Sequence, residues 1–265
     1  MSRILITGAS GRLGSAAARA LRDAASGLEL FGLARSDSAA ERLERAGLHV
    51  RRGDYSNPES LAAAFVGIDR LLFVSSPVLD PVLRIAHHRA VVAAASHVEH
   101  LVYTSAFGAD HDPGHATTES LLAERPLPAT VLRNGLYTEP FLRRALAEAA
   151  SGVITSASAG RGLATAAVAD LGEAAARALL QPPVERVLEL RGPAWTYEQL
   201  AAAIAARTGM PVRHLEVAAA DTGAFAAVFP LVAAGLLEQE RDELAQLLGR
   251  PPRGIAAVVQ EADAA

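Results

Sequence analysis

The segment ILITGASGRLGSAAARAL (4–21) decides the fold. A short apolar run leads directly into Gly8, Gly11 and Gly14, three residues apart, and then into an alanine-rich stretch with helical spacing. A strand that turns sharply into a helix needs residues without a Cβ at the turn, and the helix start presents unpaired N–H groups and the positive end of its dipole. A pyrophosphate suits that arrangement, because an anion can approach the main chain closely. Three glycines alone would also fit a plain tight turn. Their place between the first strand and the first helix is what points to a dinucleotide.

Outward from this loop, apolar runs of strand length recur at 3–9, 28–35, 48–54, 70–76, 100–106 and 129–135. Helical segments lie between them at 12–25, 38–46, 58–66, 80–97 and 116–124. Strands that are continuously apolar are buried on both faces, and their alternation with helices requires crossover connections. The expected fold is therefore α/β, a doubly wound parallel sheet. Beyond residue 135 the pattern loosens into a helix at 138–150, an extended piece at 152–158, a helix from about 168, a strand at 187–190, a helix at 196–209, a strand at 212–217 and a helical tail. Residues 1–150 read as a nucleotide-binding core. Residues 151–265 read as elements completing the sheet and forming a small C-terminal lobe, within one compact unit that lacks a Ser/Gly/Pro linker. Disorder is expected only in the last few residues.

Composition narrows the function. A net charge of −4 with interspersed signs leaves no basic stripe for nucleic acid. No run approaches the roughly 20 apolar residues of a membrane span, and the first apolar run reads as a strand rather than a signal peptide, so a cytoplasmic protein is expected. The chain has no cysteine and no lysine. Disulfides, thiol nucleophiles and amine chemistry are excluded. The eight histidines form neither HExxH nor a paired-ligand spacing, so no metal is expected. His87, His88, His97 and His100 read as surface residues of a helix and a loop.

The end of the second strand, LARSDS (33–38), bears on which dinucleotide binds. An acidic residue there favours NAD by accepting from the ribose hydroxyls, whereas Arg35 offers a planar fork to a 2′-phosphate that Arg12 could also approach. NADPH is expected over NADH, and Asp37 is the residue that argues the other way. Asp54 in GDY (53–55) is a candidate for the adenine amino group, and Ser75 and Ser76 in FVSS (73–76) for the ribose path, with strand-end capping as the alternative role for each.

TGASGRLG, LARS, GDYSNPESL, LLFVSS, LVYTSAF, HATTESLL, VLRNGLYTE and the LRGPAWTYEQLAAAIAARTG block occur in an order that resembles the NmrA-like atypical short-chain dehydrogenase/reductases. Within that family the chain is similar to the type-2 NADPH-dependent quinone oxidoreductases and the triphenylmethane reductases. The resemblance implies a Rossmann domain binding NADPH, with a C-terminal lobe covering the substrate. It implies cofactor contacts from Gly8, Ser10, Gly11, Arg12, Leu13, Gly14, Arg35, Asp54, Ser75 and Ser76. Around the nicotinamide it implies Thr104 and Ser105 of YTS, His115 and Glu119 of HATTE, and Asn134, Gly135 and Tyr137 of RNGLY. Many members of the family it resembles carry a lysine directly after the second acidic position, where this chain has Ser120, so a lysine-dependent role does not carry over.

A ketone reductase of this fold uses Tyr-x-x-x-Lys, in which the lysine lowers the tyrosine pKa. Without lysine that mechanism is closed, and Phe107 stands four residues after Tyr103. A quinone or similar electrophilic aromatic fits better, because its reduced anion is far less basic than an alkoxide. Proton delivery is open between solvent, Tyr137 and His115, with Ser105 a third candidate catalytic group. His115 and Glu119 are i, i+4 neighbours, a spacing at which a carboxylate can orient the imidazole. Phe107, Asn134 and Tyr137 are candidate substrate contacts, and Trp195 is a packing anchor. The alternatives are an NADP(H)-binding redox sensor of the NmrA-like type, or a dedicated reductase or isomerase of an aromatic natural-product intermediate. A homodimer is compatible with the pattern.

Overall fold

The computed structural model describes residues 2–24, 27–126 and 128–262. The expected end of the first helix at residue 25 and the last three residues lie outside this set. The elements of the nucleotide-binding part are β1 (Arg3–Ile6), α1 (Arg12–Ala24), β2 (Glu29–Ala34), α2 (Asp37–Arg45), β3 (His49–Arg52), α3 (Pro58–Phe65), β4 (Arg70–Val74), α4 (Pro81–Ala94), β5 (His100–Ala106), α5 (Pro113–Ala123) and β6 (Ala129–Asn134). There follow α6 (Thr138–Ala149), β7 (Val153–Ser156), β8 (Leu163–Ala164), α7 (Val168–Leu180), β9 (Arg186–Leu190), β10 (Ala194–Trp195), α8 (Tyr197–Thr208), β11 (Arg213–Glu216), α9 (Phe229–Ala233), α10 (Glu243–Leu248) and α11 (Ile255–Glu261).

Seven strands form the central sheet in the order β3-β2-β1-β4-β5-β6-β9, and the pairings from β3 to β6 are parallel. The order reverses between β1 and β4, which opens a crevice at their carboxyl ends. Apolar residues fill both faces of the inner strands, whereas the edge strands β3 and β9 are mostly half-buried or exposed, so the expected double burial does not extend to the run at 48–54. Leu5, Leu71, Phe73 and Leu101 pack with Leu61, Phe65 and Val91 of α3 and α4 and are fully buried, each side chain contributing about 1.5–3 kcal/mol. On α1 the buried positions include Ala16, Ala17 and Ala18, and a Cβ on Gly172 of α7 would lie 2.5 Å from the Ala16 Cβ. Alanine and glycine are used there so that the helices approach closely.

Three helices open on an acid or amide followed by proline: Asn57-Pro58, Asp80-Pro81 and Asp112-Pro113. In each, the side-chain oxygen accepts from a first-turn N–H while proline supplies a pre-set φ where no donor is needed. This signal places the start of α5 at Pro113, three residues before the sequence expectation.

The chain divides into two compact units. The first comprises residues 1–134 and 171–189, and the second residues 135–170 and 190–265. In the second, Phe141, Trp195, Tyr197, Phe225 and Phe229 form a chain of ring contacts, and β7 pairs in parallel with β11. Trp195 is buried and its indole N–H donates to Thr165 Oγ1 at 2.7 Å, so it anchors by hydrogen bond as well as by packing.

Candidate functional site

The glycine loop has the geometry of an anion cradle. Gly8 sits at φ +60°, a region that side chains other than glycine rarely adopt, and the Gly11 N–H donates to the Gly8 carbonyl at 2.9 Å. A Cβ on Gly14 would lie 2.4 Å from that same carbonyl, so the third glycine lets the first turn of α1 press against the loop. Below the loop, fully buried Thr7 accepts from the Val74 N–H at 2.9 Å, tying β1 to β4 at the crevice floor.

A groove of about 370 Å³ runs along the carboxyl ends of four strands. Gly8, Ser10 and Gly11 line it after β1, Arg35 and Ser36 after β2, Gly53 and Asp54 after β3, and Ser75 and Ser76 after β4. Arg42 of α2 and His87 of α4 also face it. Arg35 is largely exposed on the rim, with its Nε 4.0 Å from Asp54 Oδ2. Burial works to raise the Asp54 pKa, but hydrogen bonds from the Ser56 N–H and hydroxyl and the Arg35 charge hold it below the ordinary value. Asp37 is absent from the lining and bonds Arg52 at 2.7 Å.

Several expected cofactor residues serve the site indirectly. Leu13 is buried in the core, Gly14 packs the loop, and Arg12 is an exposed first residue of α1 outside the groove lining. Buried Thr104 accepts the Ser75 N–H at 3.2 Å and so holds the groove wall without lining it. Glu119 departs furthest from expectation. Its carboxylate accepts from Ser105 Oγ at 2.6 Å and from Arg133 Nη2 at 2.7 Å, and Arg133 also binds Asp110 at 2.8 Å. The expected orientation of His115 by Glu119 is therefore corrected: the partner of His115 Nδ1 is the Tyr103 hydroxyl, at 2.7 Å.

The surface reading of the histidines is corrected in part. His88 and His100 are fully buried, and His87 is half-buried with Nδ1 3.1 Å from Ser76 Oγ, whereas His97 is exposed. His88 Nε2 accepts the Ser76 N–H at 2.9 Å, and its Nδ1 lies 2.7 Å from Thr118 Oγ1. Burial, assisted by His115, Arg84 and His87, pushes the His88 pKa down to about 3. Burial also lowers the His115 pKa, with Arg84 adding to the shift and Asp112 and Glu119 opposing it. Tyr103 is held well above the ordinary phenol range, first by burial, so its hydroxyl is a protonated donor. Asn134 ends β6 opposite Ala106, and its buried Oδ1 has no hydrogen-bond partner among the described residues. Phe107 follows β5, half-exposed, and its N–H donates to the Asn134 carbonyl at 2.8 Å. Gly135 and Tyr137 belong to the second unit, where Tyr137 precedes α6 and bridges to Ala166.

A family profile described as NAD(P)H-binding matches residues 8–139, the stretch that builds the groove. Quinone oxidoreductase 2 of Escherichia coli (strain K12) is 35% identical over 230 residues, covering 83% of this chain and 80% of that protein. The chain belongs to this family of NAD(P)H-binding oxidoreductases. Its fold matches the triphenylmethane reductase of Citrobacter sp. complexed with NADP(H) at a TM-score of 0.87 and 30% identity, covering 98% of this chain and 99% of that one. It matches the NADPH-dependent quinone oxidoreductase of Escherichia coli complexed with NADPH at 0.83 and 31%, covering 97% and 98%. The protein is an NAD(P)H-dependent oxidoreductase. Among the described residues no helix is long and apolar enough to cross a membrane, and no cluster of three potential metal ligands occurs.

The family's cofactor fits the residues present. The loop that a Cβ would fill, the N–H groups at the start of α1 and the groove beyond them suit a pyrophosphate and its adenosine. The residues that sequence reasoning missed are Arg42, His88, Tyr103, Thr118 and Arg133. The His87-His88 pair, with one ring toward the groove and the next toward the core, was the available signal.

Proposed function

We propose that the protein transfers a hydride from NADPH to a quinone or similarly electrophilic aromatic acceptor, without a tyrosine–lysine pair. The observation that carries this reading is the donor set behind the groove. His115 has a lowered pKa, Tyr103 keeps its proton, and no lysine exists to sharpen either into a strong acid. Such groups orient and hydrogen-bond an oxygen but protonate an alkoxide poorly. A quinone asks little more, since hydride and one proton convert it to a hydroquinone through an aromatic anion of low basicity. The similarity to a quinone reductase and a triphenylmethane reductase supports the same substrate class.

When bound, NADPH supplies the hydride. The chain holds its pyrophosphate at Gly8–Gly14 and lines its path with Asp54, Ser75 and Ser76. In the first unit, Ser105 and His115 are the proposed hydrogen-bonding groups, with Phe107 and Asn134 as substrate contacts. In the second unit, Tyr137 is proposed to touch substrate on the strength of the family resemblance alone. Preference for NADPH rests on Arg35, Ser36 and Arg42 on one rim, with Asp37 engaged by Arg52.

The deciding experiment follows NADPH absorbance without oxygen against benzoquinones and naphthoquinones, with NADH in parallel. Turnover favouring NADPH is expected; NADPH binding without turnover of any acceptor overturns the reading and favours a sensor. Arg35→Ala is expected to weaken NADPH by about 1.5–3 kcal/mol and NADH much less. Equal weakening of both removes the argument for the rim.

A further inference from the structure

Behind the groove wall stand side chains whose hydrogen bonds can be assigned a direction one at a time, starting from a group with no choice. The Ser76 backbone N–H can only donate, and it donates to His88 Nε2 at 2.9 Å. His88 is fully buried and neutral, so with Nε2 accepting, its proton stands on Nδ1. That Nδ1–H lies 2.7 Å from Thr118 Oγ1, and the Thr118 hydroxyl donates onward to the Gly114 carbonyl at 2.6 Å. The Tyr103 hydroxyl lies 3.4 Å from the same Nδ1 and so meets a donor there. Thr118 also neighbours the phenol, but its own hydrogen is committed to Gly114 and its oxygen to His88, so the Tyr103 hydrogen is assigned to His115 Nδ1, 2.7 Å away. Ser105, 3.4 Å from His115 Nδ1, spends its hydrogen on Glu119 at 2.6 Å. His115 thus accepts at Nδ1, and its own proton resides on Nε2.

We propose that His88 and Tyr103 are positioning residues that lock His115 as a neutral imidazole with its proton on Nε2, so that His115 meets an acceptor's oxygen as an oriented hydrogen-bond donor rather than as a cationic acid. What His115 serves rests on the reductase reading above; the tautomer itself does not. A donor fixed in advance costs no reorganisation when charge develops on the oxygen it faces. The surrounding charges suit a neutral ring. Arg84 binds Asp112 at 2.7 Å, and Asp112 accepts the N–H groups of Gly114 and His115 at the start of α5. Glu119 is occupied by Ser105 and Arg133, and His87 by Ser76.

The test is long-range proton–nitrogen correlation spectroscopy on the full chain labelled with 15N-histidine, at pH 7. The expected spectrum assigns Nδ1–H to His88 and Nε2–H to His115. Tyr103→Phe, a change of one buried hydroxyl, is expected to leave the His88 signals in place and move His115 toward mixed tautomers. It should lower quinone kcat about threefold and leave NADPH affinity unchanged. A wild-type His115 observed as Nδ1–H or as imidazolium overturns the lock, as does a His115 spectrum indifferent to Tyr103→Phe. The wild-type spectrum decides the assignment even where the variant fails to fold. Absence of quinone turnover in the wild type strikes the reductase reading separately.

Discussion

His88 in the first unit and His214 in the second are both sequestered histidines that engage both ring nitrogens, yet their neighbours are of opposite kinds. His214 places Nε2 2.8 Å from Ser156 Oγ and Nδ1 2.9 Å from Glu198 Oε1, with Glu216 at 3.7 Å. Serine, histidine and carboxylate stand in the order of a hydrolytic triad, but Ser156 is fully buried and no substrate reaches its oxygen. The arrangement is a tether that joins α8, β7 and β11. Around His88 and His115 no carboxylate bonds a ring nitrogen among the described residues; the partners are a backbone N–H and hydroxyls. A carboxylate accepts a ring N–H whether the imidazole is neutral or charged, whereas a backbone N–H demands a bare ring nitrogen and so admits only the neutral ring. A ring needed only for architecture can sit beside a carboxylate in either charge state, and one that must stay neutral is served by a neighbour that donates to it.

The largest expected effect tests the reliance of the second unit on charge. Asp170 is fully buried and accepts from Arg250 at 2.8 Å and from the Arg253 N–H at 2.6 Å, with the Arg253 guanidinium closing the cluster. Asp170→Ala should lower stability by about 3 kcal/mol, near the small end for a broken buried pair because both arginines reach solvent. Urea unfolding followed by the fluorescence of Trp195, the only tryptophan, measures it, and a loss below about 1 kcal/mol counts against a charge-built unit.

The neutral histidines of the first unit predict a dependence on acidity. His88 titrates at about 3 and His100 at about 4 in the fold, both lowered first by burial, against 6.5 for a free histidine. The unfolded chain binds more protons between these values, so the stabilising contribution is complete above about pH 6.5 and is lost as pH falls toward 3. Thermal unfolding midpoints should already decline between pH 6.5 and 5, before most carboxylates titrate. A flat profile over that interval would show that these rings are charged in the fold.

The smallest effect sharpens the comparison. His115→Ala should lower quinone kcat about tenfold, the value of one hydrogen bond, with NADPH affinity intact. Complete loss of turnover would instead make His115 an essential proton donor.

The parts of this picture that were legible in the sequence are those set by neighbours along the chain. The glycine loop, the alternation of strands and helices, and Arg35, Asp54, Ser75 and Ser76 at strand ends all follow from local spacing, and each of these residues lines the groove. The hydrogen bonds that set the tautomer of His115 were hidden because they depend on what lies across the sheet. Glu119 reads as the partner of His115 at i, i+4 until the register of β5 with β6 sets Arg133 beside Ser105, and those two residues take the carboxylate. His88 reads as a surface residue until the end of β4 delivers the Ser76 N–H to it.

The chain passes between its two units at residues 134/135, 170/171 and 189/190, so neither unit is a continuous piece of polypeptide. During synthesis, the first 134 residues emerge with the glycine loop and six strands of the sheet, yet α1 lacks the α7 surface against which Ala16 packs, and β6 lacks β9. Both arrive only after about a third of the second unit has been made. The nucleotide-binding unit therefore reaches its final packing late on the ribosome, and neither unit can be released intact by a single proteolytic cut.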